Sequence, residues 1–169
     1  DIEKKENRKD LIISICVFLS GFSCFAQLYY FQPLLPDLAK DFILSASESS
    51  FAISFSTLGM VFGLFTTMFV ADRIPRKKMI GTGLLSSSIF SVAAFFVPTF
   101  LPLILLSAAK GFLLSGATSV SMAYIAEEVS SRNKGKIMGL YIAGNALGGM
   151  AGRVISSWIG ALYTWRIAS

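Results

Sequence analysis

The chain has 169 residues, of which 54% are hydrophobic and only 15% charged, whereas a soluble domain carries about 25% charged residues. It has no histidine and a formal net charge of +5, so metal sites and catalytic triads built on histidine are excluded. The cations flank apolar stretches, as membrane borders do, and this argues against a nucleic-acid partner.

Most charges fall in four patches, 1–10, 37–48, 72–78 and 127–136. The runs between them are long enough to cross a bilayer, which takes roughly 20 residues. The pattern predicts an all-α membrane protein with five transmembrane helices. They are expected over about 11–33, 48–71, 79–97, 103–126 and 137–162, after a cytoplasmic N-terminus at 1–10. The first run is too long for the apolar core of a signal peptide and lacks a small-residue cleavage site. Pro33 and Pro36 are expected to end the first span. Ser45-x-x-Glu48 has the capping-box pattern and should start the second. Pro98 and Pro102 bracket a short turn between the third and fourth, and the polar stretch 127–136 separates the fourth from the fifth. Cys16 and Cys24 share the first span at about 12 Å along a helix, too far apart for a disulfide.

Orientation follows from the cations. Lys4, Lys5, Arg8 and Lys9 precede the first span, Arg73, Arg76, Lys77 and Lys78 follow the second, and Arg132, Lys134 and Lys136 follow the fourth. These flanks alternate onto one side, while the other side holds only Lys40 and Arg166. The positive-inside rule puts the N-terminus in the cytoplasm. Five spans leave Tyr163-Thr164-Trp165-Arg166 outside, an ending expected of a chain cut before a sixth helix.

The most concentrated charge is Asp72-Arg73-Ile74-Pro75-Arg76-Lys77-Lys78, between the charge-free stretches 51–71 and 79–109. It resembles the loop between helices two and three of the major facilitator superfamily, whose usual pattern is Gly-x-x-x-Asp-Arg-x-Gly-Arg-Arg/Lys. Here Met68 and Pro75 stand at the two glycine positions. The stretch Gly144-Asn145-Ala146-Leu147-Gly148-Gly149-Met150-Ala151-Gly152-Arg153 is similar to that family's antiporter pattern, Gly-x-x-x-Gly-Pro-x-x-Gly-Gly. Gly149 replaces the proline and Arg153 the last glycine. The fourth span, with Lys110-Gly111-Phe112 and Ala123-Tyr124-Ile125-Ala126-Glu127-Glu128, resembles the acriflavine-sensitivity, drug-efflux-like branch. An arginine is usual there four residues before Gly111; Ser107 holds that position, and Lys110 is the nearest cation.

The resemblance covers essentially the whole chain but only five of twelve helices, an incomplete six-helix N-terminal half. It implies a secondary active exporter of small molecules, coupled to an ion gradient and working by alternating access in the inner membrane of a bacterium. It further implies that Asp72, Arg73, Arg76 and Lys77 form a gating loop that locks the two halves. Membrane lipids, a small-molecule substrate, protons as candidate coupling ion and the missing C-terminal half are the implied partners; no cofactor is.

The residues themselves add two features. Gly144, Gly148, Gly152, Ser156 and Gly160 recur every four residues, with Gly149 beside them, and form a stripe where another backbone can approach. Gly59 and Gly63 make a smaller pair. Gln27, Lys110 and Arg153 each fall about 5–8 Å to the outer side of a span's midpoint. With Asn145 they are candidates for a shared cavity that binds an anion or a carboxylate. The alternative is structural: Arg153 bonds carbonyls and Gln27 joins helices. No Asp or Glu lies deep in a span, so a proton-coupling group has to come from elsewhere or be Lys110. Two other function classes remain in view. A non-transporting remnant or small helix-docking protein would use the stripe as its docking face; a membrane enzyme lacks any catalytic constellation.

Overall fold

The computed structural model describes the backbone of residues 2–168 and the side chains of residues 6–168. The side chains of Lys4 and Lys5 lie outside the described ones. Among the described residues there is no strand. Among these residues eight α-helices run in order: α1 Ile2–Tyr29, α2 Leu35–Asp41, α3 Ala46–Ser49, α4 Phe51–Val70, α5 Arg76–Phe95, α6 Phe100–Glu128, α7 Lys134–Leu162 and α8 Trp165–Ala168.

Among the described residues four helical stretches are long and apolar enough to cross a membrane: Glu6–Asp41, Ala46–Val70, Arg76–Phe95 and Phe100–Glu128. The fifth expected span is the 29-residue α7, whose glycines and internal Arg153 dilute its apolarity. At 1.5 Å per residue it is still about 43 Å long, more than the roughly 30 Å hydrocarbon core.

The expected boundaries change at both ends of the first span. Helix starts at Ile2, within the charged segment. α1 ends at Tyr29, before either proline; a 3-10 turn at Gln32–Leu34 and then α2 carry the chain on, with Pro33 and Pro36 in their first turns. Proline fits there because the first amide groups of a helix have no internal partner. The prolines thus begin short helices and do not end the span. Ser45 caps α3: its hydroxyl accepts from the Glu48 amide, and the Glu48 carboxylate accepts from the Ser45 amide at 2.8 Å. α5 starts at Arg76, inside the charged loop, with Pro75 as its N-cap.

α6 packs along both α4 and α5, and α1 packs along α7. The α1–α7 and α4–α6 pairings both depend on glycine. A Cβ added to Gly144 would sit 2.7 Å from the Phe18 carbonyl oxygen, and one on Gly152 2.6 Å from that of Ala26; Gly148 faces Phe22 in the same way. Residues spaced by four on α7 therefore meet residues spaced by four on α1, the 4-4 ridge packing of two helices. On α4, Gly59 touches the Ala108 backbone and Gly63 that of Phe112, while Gly111 of α6 reaches back to Ser56. The expected stripe is thus occupied from within the chain, by α1. That removes the docking face on which the helix-docking alternative relied.

The two ends of the bundle are closed differently. At the basic end, Lys9 pairs with Glu128 at 2.7 Å, and buried Asp10 accepts from Ser130 at 2.6 Å and Asn133 at 2.9 Å. At the opposite end Tyr30, Phe31, Leu34, Leu38, Val97, Leu103 and Trp165 make an apolar cluster. The Trp165 indole donates to Asp41 at 2.6 Å, and Arg166 donates to the Val97 carbonyl at 2.8 Å. Between the ends the outer surface is apolar: Phe62, Phe65, Met68 and Phe69 of α4 are 61–78% exposed. Such a continuous face suits acyl chains and not water.

Three expectations follow. Gly148→Val should destabilise the protein by about 1–3 kcal/mol through overpacking, read as a lower melting temperature in detergent. Gly139→Ala, at a position with nothing within 4 Å of an added Cβ, should leave the melting temperature unchanged or raise it. Ile43, 94% exposed, has φ of 54°, a left-handed conformation that costs an L-residue roughly 1–2 kcal/mol. Ile43→Gly should therefore raise the melting temperature.

Candidate functional site

Chemistry-bearing side chains gather in three places. The first is the loop between α4 and α5. Because α5 begins at Arg76, this guanidinium projects from a fixed helical turn and grips Glu127 at the end of α6 with two bonds of 2.6 Å. Such a fork is rigid and charge-assisted. Lys77 lies 5.8 Å over the Tyr124 ring. Asp72 and Arg73 are exposed, and no ion pair or side-chain hydrogen bond holds either of them among the described residues. The four loop residues hence divide: Arg76 and Lys77 are anchored to α6, while Asp72 and Arg73 face outward.

The second place lies between α1, α5 and α6. The Gln27 amide donates to Ser23 at 3.2 Å and Ser88 at 3.4 Å, and its oxygen accepts from Ser87 at 2.9 Å. One turn further along α5, Ser91 accepts from the Lys110 ammonium at 3.3 Å. Lys110 is only 2% exposed and lies 3.9 Å from the Tyr30 ring centroid and 5.3 Å from that of Phe31. Among the described residues no carboxylate pairs with it. Two aromatic faces and a hydroxyl stabilise the cation in place of a counter-ion. A cavity of about 390 Å³ opens beside this cluster, lined by Gln27, Tyr30, Ser88, Ser91 and Ser156 among others.

The third place is the α1–α7 side. Arg153 donates through Nε to Gln32 at 2.5 Å, and its guanidinium lies 4.4 Å from the Tyr29 ring centroid. Asn145 packs over Gly21, where no side chain would fit. Of the packing glycines, Gly149 stands in ordinary contact with Tyr29, and Gly160 abuts the Leu34 side chain of the 3-10 turn.

The four residues expected to share one cavity therefore fall into two groups. Gln27 and Lys110 are joined through α5, and Arg153 and Asn145 belong to the α1–α7 contact. Helical depth places Gln27, Lys110 and Arg153 at similar levels, but depth says nothing about which side of a helix each faces. The serines at 87, 88 and 91 were missed; three hydroxyls within five residues of an apolar span were a usable signal. Gln32 carried none, because it became an Arg153 partner only when the 3-10 turn folded back on α7. Glu127 falls in the polar separator and in the fourth-span motif, and neither marks it as the partner of Arg76.

The Major Facilitator Superfamily profile matches residues 14–168. A transporter of Buchnera aphidicola from Schizaphis graminum is 38% identical over 99% of this chain and 40% of its own length. The inner membrane transport protein YnfM of Escherichia coli is 37% identical over 92% of this chain and 37% of its own length. The niacin transporter NiaP of Acinetobacter baylyi is 27% identical over 80% of this chain and 31% of its own length. No solved structure matches. The chain spans about two-fifths of the length of the curated relatives it matches first. An all-helical, multi-span bundle with a charged loop after its second span, matched along nearly its whole length, belongs to the Major Facilitator Superfamily.

Proposed function

We propose that this chain is the N-terminal part of a secondary active transporter that exports small molecules across the cytoplasmic membrane by alternating access, driven by an ion gradient. The observation that carries this reading is the division within the charged loop. Arg76 is locked to Glu127 at the end of α6, yet among the described residues neither Asp72 nor Arg73 has an ion pair or a side-chain hydrogen bond. A carboxylate and a guanidinium held outward by a rigid neighbour are placed to pair with a second body and release it, as a rocking mechanism requires. The relatives' names support transport, and one of them names a small molecule, niacin.

In this reading residues 1–10 lie in the cytoplasm, the spans follow the helical stretches described above, and Asp72, Arg73, Arg76 and Lys77 gate the cytoplasmic side. Lys110, beside the Gln27 cluster, has no carboxylate partner among the described residues, which makes it the candidate for proton coupling.

Four measurements test these points. Full-length protein in proteoliposomes should move at least one solute from a mixed small-molecule pool, and collapse of the ion gradient should stop it. Flux no greater than that of empty vesicles would sink the transporter reading. Asp72→Asn should slow this flux about tenfold without lowering the melting temperature. Lys110→Gln should remove the dependence of flux on the proton gradient; unchanged dependence excludes Lys110 as the coupling group. For orientation, a membrane-impermeant thiol reagent should label Ile43→Cys in intact cells but Lys78→Cys only in inside-out vesicles. The reverse pattern would invert the topology.

A further inference from the structure

Arg153 is a charge in an unexpected place. It stands nine residues before Leu162, the end of α7, or about 13 Å along the helix. Its exposed neighbours on α7 are apolar: Met150 is 60% exposed and Val154 67%. A guanidinium at that depth is costly against lipid and normally faces a water-filled cavity or a counter-charge.

Two contacts fix its direction. Gln32 accepts from Nε at 2.5 Å, and the Tyr29 ring supports the plane of the group at 4.4 Å. Both partners are neutral, so the positive charge stays uncompensated. Among the described residues no carboxylate pairs with Arg153. Asp41, an acid at that end of the bundle, is already engaged by Trp165 and Arg166. The terminal nitrogens are left as a planar, pre-oriented fork whose geometry matches a carboxylate. A single uncompensated charge suits a monoanion better than a dianionic phosphate.

We propose that Arg153, held by Gln32 and stacked on Tyr29, binds the carboxylate of a monocarboxylate substrate. This rests on the transporter reading and names a substrate class for it. The bond to Gln32 costs the site no charge, and the ring beneath the guanidinium limits its rotation, so little ordering remains to be done on binding. The competing source of the same chemistry is a carboxylate side chain elsewhere in the complete protein.

The test uses the purified full-length protein in detergent, with pyruvate, hexanoate and benzoate as probes and the corresponding amides as uncharged controls. A bound ligand raises the melting temperature in proportion to the logarithm of its saturation. At least one acid should raise it while its amide does not. Arg153→Gln should abolish the shift. Arg153→Lys, which keeps the charge and loses the fork, should weaken binding about tenfold, and Gln32→Leu should weaken it without changing the unliganded melting temperature. Absence of a shift with all three acids, or a shift that survives Arg153→Gln, overturns the proposal. So does a collapse of unliganded Arg153→Gln that Arg153→Lys rescues, which would assign Arg153 to an internal ion pair. Acid binding without flux in proteoliposomes would leave this site standing and refute the transport reading alone.

Discussion

Close approach of helix backbones is the constraint on which the rest of this bundle depends. Lipid tails are as apolar as leucine, so burying apolar side chains between membrane helices offers little driving force. Van der Waals contact has to do more of the work, and it falls off steeply with distance. The glycines at 144, 148 and 152 let α7 rest on carbonyl oxygens of α1, and those at 59, 63 and 111 do the same for α4 and α6. The same device serves both helix pairs, and Gly83 of α5 likewise meets the Leu113 carbonyl oxygen of α6.

These seams also decide where polar groups can sit. With α7 pressed against α1, Arg153 reaches Gln32 and Tyr29 near the end of α1. With α5 and α6 side by side, Ser91 lies within reach of Lys110. The two cations are then stabilised in different ways. Lys110 is enclosed by aromatic faces and a hydroxyl, whereas Arg153 is braced on one side and open on the other. Enclosure suits a group that is to be screened from ligands, and a braced but open fork suits one that receives them. At the basic end, by contrast, opposite charges meet directly: Arg76 with Glu127 and Lys9 with Glu128. There headgroups and water make an exposed pair cheap to form, so the pairs fix relative position more than they add stability.

Much of the bundle was legible in the residues. Charge-free runs of membrane length placed most helices, and the spacing of Ser45 and Glu48 located a capping box that the structure contains. The four-residue spacing of glycine on α7 identified a contact face. Boundaries were less legible where proline was concerned. The sequence shows that Pro33 and Pro36 interrupt something, but not whether they close one helix or open the next. That depends on which amides lack partners, a property of the folded chain.

What the sequence by itself determined is hydropathy, charge distribution and periodicity: helical spans, a basic side, a loop with five charges and a glycine stripe. Each is local and follows from the side chains' own solvation and from the 3.6-residue turn. Which helix fills the stripe, whether Gln27, Lys110 and Arg153 share a site, and which loop charges are locked were decided only by the tertiary structure. Those answers depend on the rotation of each helix about its axis. That rotation is set by packing between segments some 120 residues apart, such as Arg153 and Gln32, and no local pattern encodes it.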